Sequence, residues 1–152
     1  MTKLRAGAVL ISAWSGLNLL VGAAVTAMTL AGRRAPALLL VFPEEELARL
    51  DPKLVAVVNA QAALANPCIV ALCGLVLAIV WTSLAAGRRW VLVALTAALI
   101  PLQAFGFVSD GFLGHQNLVA NLVSTVLLLA GLGLAAAGLP AARLTATGRA
   151  SC

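Results

Sequence analysis

His115 and Asp110 are the residues whose types and spacing come nearest to an acid–base pair in this chain. A histidine beside a carboxylate can serve as a general base. The five-residue spacing is unspecific, and neither a G-x-S-x-G elbow nor an HExxH motif accompanies the pair. We therefore interpret His115 as a solvated turn residue, and keep a lipid-directed enzyme using His115 and Asp110 as an alternative.

Uncharged polar side chains recur at helical spacing inside four long apolar stretches. At about 100° per residue, the polar residues of each stretch fall on one helical face. Because polar groups in hydrocarbon are costly, these faces should point toward protein rather than lipid. We predict that they converge in the outer half of a helical bundle and line a ligand site, formed by Asn18, Asn59, Asn66, Gln103, Asn117, Asn121 and Ser124.

These amides and hydroxyls define the chemistry that the interior could support. They supply hydrogen-bond donors and acceptors without charge, which suits a neutral headgroup, a sterol- or quinone-like oxygen, or hydrogen bonds between helices alone. No ionisable residue lies deep in a stretch, which argues against ion-coupled transport. The acidic residues lack the spacing of a metal site, so we predict neither a metal nor a cofactor.

The elements that must position these residues are the apolar stretches themselves. The chain of 152 residues is 62% hydrophobic and only 10% charged, and each stretch holds about 19 to 31 residues, enough to cross a hydrocarbon core of about 30 Å. The sequence predicts an all-α integral membrane protein, a four-transmembrane-helix bundle forming one domain over residues 1–152. The predicted spans are 7–31, 55–85, 90–108 and 116–139.

The connections carry a few further expectations. Pro43, the three glutamates after it and Pro52 predict a short amphipathic surface helix in the first outer loop, with Leu47 and Leu50 facing the lipid or the bundle. Residues 109–115 are expected to form an outer turn. Small residues should allow close helix approach along the inner half, at Gly74 as well as along the fourth span.

Charge placement predicts the orientation. One side of a four-span chain holds six basic residues and no acid, and the other holds four basic residues and all five acids. The positive-inside rule then places both termini in the cytoplasm, in the cell (inner) membrane. We attribute the net charge of +5 to residues that set the orientation in the membrane and contact anionic lipids, rather than to nucleic-acid binding. A cleaved signal peptide with small residues near 24–27 remains an alternative, although the first stretch is longer than usual for one.

We expect a non-enzymatic membrane protein that contacts membrane lipids. Its polar, outward-facing interior would bind a lipid-like small molecule or a partner membrane protein, which could be a second copy. An accessory subunit of a larger membrane complex is a further alternative to the enzyme.

Overall fold

A computed structural model describes residues 2–139, and within that range the chain is helical, without strands. The described chain forms four long helices and two short ones, and a single π-helical turn, Val80–Leu84, extends the second long helix. The helices are α1 Lys3–Leu30, α2 Pro36–Val41, α3 Glu44–Leu47, α4 Pro52–Ile79, α5 Arg89–Phe112 and α6 Leu118–Gly138.

The four long helices confirm the predicted all-helical class. Each is long and apolar enough to cross a membrane, counting α4 together with its π turn. Large apolar side chains remain exposed around the outside, among them Leu20, Phe105 and Val119. Continuous exposed apolar surface on this scale is unfavourable in water. These features suggest a membrane protein.

Helix α1 lies at the centre of the bundle, packed against α4 on one side and α6 on the other, while α5 packs mainly against α6. Glycines bring α1 and α6 into backbone contact. A Cβ atom at Gly7 would collide with the backbone of Ala135 and Gly131, and one at Gly138 with the backbone of Leu4. The small-residue face of α6 is thus the face that packs on α1. Gly74 has open space around it, so the close approach expected there was wrong.

One end of the bundle holds the start of α1, the α4–α5 turn and the end of α6; we call it the terminal end. An apolar core fills the bundle toward this end, with Ile11, Val80, Leu99 and Leu128 fully buried. The π turn places Val80 and Leu84 in this core, where it contacts both α1 and α5. The opposite end, which carries α2, α3 and the α5–α6 turn, is the loop end.

The loop end differs in detail from the expected one. The first connection forms two short helices rather than one, and the segment after Pro43 is helical only over Glu44–Leu47. Leu47 is buried. Helix α5 extends to Phe112, beyond the predicted boundary, so Asp110 is a buried helical residue rather than a turn residue. Its extra turn is closed by the backbone N–H of His115, which donates to the carbonyl of Asp110 over 2.9 Å.

Basic residues lie at both ends. The terminal end carries Lys3, Arg5, Arg88 and Arg89. The basic residues of the loop end share it with the acids, and Arg143 and Arg149, which entered the charge count, lie outside the described residues, as does the C-terminal tail in general.

Candidate functional site

A cavity of about 520 Å³ lies in the loop-end half of the bundle, between the four long helices and beside α2. We call it the amide cavity. Exposed apolar side chains, Leu17, Val21 and Leu40, form part of its wall, so it is open to the surroundings of the bundle. Its polar lining consists of Asn18, Asn66, Ser109, Asp110, Asn117, Asn121 and Ser124.

Five of the seven residues predicted from the sequence therefore line one cavity. The helical spacing explains why: Asn121 and Ser124 occupy one face of α6, which is turned inward, and Asn117 lies directly before the helix on the same side. Asn18 on α1 and Asn66 on α4 face them across the bundle. With Ser109 and Asp110 of α5, polar side chains from all four long helices meet here, as expected if the outside of the bundle offers them no hydrogen-bonding partner.

Gln103 lies just beneath, in a buried hydrogen-bond network that joins α1, α5 and α6. The indole N–H of Trp14 donates to Ser124 Oγ at 2.7 Å and to Gln103 Oε1 at 3.2 Å. The Ser124 hydroxyl donates in turn to Gln103 Oε1 at 3.1 Å, and Gln103 Nε2 donates to the Asn121 carbonyl at 3.3 Å. This network separates the amide cavity from the apolar core.

Three asparagines of the lining are held by backbone carbonyls. Asn18 Nδ2 donates to the carbonyl of Trp14, and Asn66 Nδ2 donates to that of Ala62, each over 2.8 Å. Asn121 Nδ2 donates to the Gly106 carbonyl at 3.2 Å, across the α5–α6 contact. A carbonyl only accepts, so the amide group facing it must be the NH₂. Each amide is thereby fixed in orientation.

Asn59 does not line the cavity. Its Oδ1 accepts a hydrogen bond from the backbone N–H of Ala35 at 2.8 Å. Ala35 precedes α2, and residues 35–37 together with Leu40 form part of the cavity wall. Asn59 therefore anchors the segment that covers the cavity and, contrary to the prediction, does not contact the cavity itself.

Asp110 and His115 form a pair at the edge of the cavity. Asp110 is 1% exposed; its Oδ1 accepts from the backbone N–H of Asn117 at 2.7 Å, whereas its Oδ2 has no hydrogen-bond partner among the described residues. His115 Nδ1 lies 3.7 Å from that Oδ2, too far for a hydrogen bond. The histidine side chain is largely exposed, and the backbone of His115 adopts a positive φ of 62°.

Three features of the site were missed from the sequence. Trp14 was not counted, although an indole N–H inside an apolar stretch needs an acceptor, which is a usable signal. Asp110 was expected in a turn; its seven-residue spacing from Gln103, which places both on one helical face, is the signal for the extra turn of α5 that buries it. The covering segment before α2 has no signal beyond its apolar composition.

Among residues 2–139, no three His, Cys, Asp or Glu side chains come together as a metal site would require. Comparisons with protein-family models, with curated proteins and with solved structures find no match to this chain. Any functional conclusion therefore depends on the geometry of the site.

Proposed function

We propose that this protein is an integral membrane protein that binds a lipid-like amphiphilic small molecule in the amide cavity. The observation that carries the proposal is the convergence of polar side chains on a cavity of about 520 Å³ that also has apolar walls. Ligand cavities of about 300–1,000 Å³ typically combine apolar walls with a few oriented polar groups. An amphiphile would place its head among the amides and its chain against Leu17, Val21 and Ile69.

The proposal includes the position of the bundle in the membrane. The exposed apolar surface of the four long helices would face lipid, α2 and α3 would lie at the outer interface, and both termini would be cytoplasmic in the cell (inner) membrane. Trp81 and Trp90, exposed near the terminal end, would lie at the cytoplasmic headgroup level. Because α1 supplies Trp14 and Asn18, the proposal requires that the first span is retained rather than cleaved.

The chain offers an internal fluorescent reporter for the test. It has three tryptophans, and the substitutions Trp81→Phe and Trp90→Phe leave Trp14, which donates to Ser124 in the cavity lining. We call this protein the reporter variant. In nanodiscs containing a phospholipid with brominated acyl chains, a chain that enters the cavity should quench Trp14, and native mass spectrometry should detect an amphiphile retained during purification.

A matched pair of substitutions on α4 separates entry into the cavity from contact with surrounding lipid. Ala62 lines the cavity, so Ala62→Phe in the reporter variant should fill it and reduce the quenching. Ala65 lies one turn further along the same helix with its side chain exposed, so Ala65→Phe should leave the quenching unchanged. Equal quenching in both proteins, with no co-purifying amphiphile, would refute the proposal.

A second candidate is a lipid-directed enzyme, favoured by the position of His115 Nδ1, 3.7 Å from the buried Asp110 carboxylate. In this mechanism His115 would accept a proton from water or substrate, with Asp110 orienting the ring. The substitution His115→Ala distinguishes the two. If the variant still turns over co-purifying lipid at the full rate, catalysis by His115 is excluded. If the quenching of Trp14 is unchanged in the variant, the binding function does not depend on His115.

A further inference from the structure

We infer that the amide cavity selects an amphiphile whose head is a protonated amine that still carries N–H groups. This inference rests on the proposed function and specifies the ligand class for the same site. The juxtaposition that carries it is a buried carboxylate oxygen without a hydrogen-bond partner, among the described residues, beside three amides whose oxygens accept no hydrogen bond from them.

The amides present unused acceptors to a ligand. Asn18, Asn66 and Asn121 each use one N–H of Nδ2 to donate to a backbone carbonyl, and within residues 2–139 their Oδ1 atoms accept no hydrogen bond. Exchanging the amide oxygen and nitrogen would set two acceptors against each other, so this arrangement is imposed by the backbone. A head that carries N–H groups therefore finds three amide oxygens that the described residues leave unused.

Asp110 adds the charge. It lines the cavity and is 1% exposed, and its Oδ2 makes no hydrogen bond to any residue that the structure describes. A buried carboxylate oxygen is unfavourable unless it is paired or hydrogen-bonded. The His115 ring does not satisfy it. The ring is largely exposed, and its Nδ1 lies 3.7 Å from Oδ2, which is too far for a hydrogen bond. A ligand N–H would supply the missing donor.

The rest of the lining contains no positive charge that would pair with an anion. Asp110 is the one ionisable residue in the lining, and no lysine, arginine or histidine belongs to it. Ser109 and Asn117 can donate as well as accept, but they carry no charge. A fatty-acid carboxylate or a bare phosphate would therefore approach one negative group and no positive one. A protonated amine would find a charged partner in Asp110 and acceptors in the three amide oxygens.

The test compares head groups on one chain. The reporter variant is dissolved in a neutral detergent and titrated with dodecylamine, dodecyltrimethylammonium, dodecanol and dodecanoate. The fluorescence of Trp14 reports binding. Dodecylamine should bind most tightly, dodecyltrimethylammonium more weakly because it has no N–H, and dodecanoate least. Because all measurements share one detergent, comparing protein variants cancels the partition of each amphiphile into micelles.

The decisive variant is Asp110→Asn, compared with Asp51→Asn. Asn retains an Oδ1 that can accept from the Asn117 N–H, so the α5–α6 turn should be preserved. We expect dodecylamine affinity to fall by about tenfold or more, as for loss of a charge-assisted hydrogen bond. Asp51 is exposed at the same end, caps α4 and lies outside the cavity, so its variant should bind normally.

The outcomes separate this inference from the proposed function. If all four amphiphiles bind equally and Asp110→Asn changes nothing, the cavity binds amphiphiles without regard to the head, and only the inference is overturned. If none binds, the proposed function fails with it. If circular dichroism shows that the Asp110→Asn protein is unfolded, Asn66→Leu provides the second variant. If the amide oxygens select the amine, this variant should lower the affinity for dodecylamine more than the affinity for dodecanol.

The amine can belong to a membrane lipid or to a free lipophilic molecule. Nanodiscs of phosphatidylethanolamine and of phosphatidylcholine, both with brominated chains, address the source. Stronger quenching of Trp14 in phosphatidylethanolamine, lost in Asp110→Asn, identifies a lipid headgroup. Equal quenching in both, displaced by dodecylamine, identifies a free amine. Equal quenching that dodecylamine does not displace contradicts the inference.

Discussion

At the scale of single residues, Trp14 connects three of the four long helices. It is 2% exposed, and its indole N–H is shared between Ser124 on α6 and Gln103 on α5. An aromatic ring of this size buries much apolar area, while its one donor requires an acceptor. Trp14 therefore serves both the apolar core below it and the polar network above it.

The network makes a first prediction at Gln103. The substitution Gln103→Leu removes Oε1, which accepts hydrogen bonds from Trp14 and Ser124, and Nε2, which donates to the Asn121 carbonyl. Hydrogen bonds between membrane helices are worth roughly 0.6–2 kcal/mol each, so we expect a loss of about 1–3 kcal/mol in the free energy of unfolding. Unfolding by sodium dodecyl sulfate in mixed micelles, followed by circular dichroism, measures it.

A control for this prediction lies two turns earlier on α5. The hydroxyl of Thr96 is exposed and donates only to the carbonyl of Leu92 in its own helix. Thr96→Val should therefore change the free energy of unfolding by less than about 0.5 kcal/mol. If Gln103→Leu were as stable as Thr96→Val, the network would contribute nothing to the association of the helices.

The candidate site was predictable from sequence as far as helical periodicity reaches. Asn117, Asn121 and Ser124 share a face of any α-helix, and the high energy of polar groups in lipid turns that face inward. Asn59 obeys the same rule but bonds to Ala35, a partner in an irregular segment. Its role depends on where that segment folds back, and periodicity contains no information on it.

At the scale of helices, the α1–α6 contact is the closest in the bundle. A Cβ atom at Gly131 would lie 2.9 Å from Ile11 Cγ1 and 3.0 Å from the Ile11 backbone nitrogen. The backbone atom cannot move without shifting α1, and Gly7 meets α6 just as closely. In lipid, where water does not drive helices together, such close backbone approach is what supplies van der Waals contact.

The second prediction concerns this contact. Gly131→Ala should destabilise the protein by about 1–3 kcal/mol, the range for an added methyl group in a filled space. Gly133, on the same helix, has nothing within 4 Å of its hypothetical Cβ. Gly133→Ala should be neutral or stabilising by up to about 1 kcal/mol, because alanine favours a helix more than glycine does. The same detergent-denaturation measurement compares the two variants, and equal stabilities would contradict the close packing.

The ends of the helices show where sequence reasoning stops. The start of α6 was placed within two residues, because turn-forming residues precede it. The end of α5 was placed four residues early, because Ser109 and Asp110 are typical turn residues. In the structure Asp110 is helical, and its carboxylate accepts a hydrogen bond from the backbone N–H of Asn117. The π turn at the end of α4 is likewise set by its contacts with α1 and α5, which are tertiary.

At the scale of the whole molecule, polar and apolar packing are segregated along the bundle axis. The fully buried apolar residues, such as Ile11 and Val80, lie toward the terminal end, and the amide cavity lies toward the loop end. A molecule that enters the cavity therefore meets the Trp14 network and then a packed core. This arrangement suits binding from the membrane face at which the loop end lies.

Which face that is depends on orientation, and two alanines test it. Ala86 lies in the α4–α5 turn at the terminal end, and Ala48 follows α3 at the loop end; both are exposed and neutral, so replacing them leaves the basic residues intact. In a protein with Cys68, Cys73 and Cys152 changed to Ala, we introduce Ala48→Cys or Ala86→Cys and treat intact cells with a membrane-impermeant maleimide.

The positive-inside rule predicts labelling of Ala48→Cys in intact cells, and of Ala86→Cys only after the membrane is opened. The rule has force here because the terminal end, within the described range, carries Lys3, Arg5, Arg88 and Arg89 without any acid, whereas the loop end mixes basic residues with the acids. The reverse labelling pattern would turn the amide cavity toward the cytoplasm. Its ligand would then have to come from the inner leaflet or the cytosol, while the packing of the site would be unchanged.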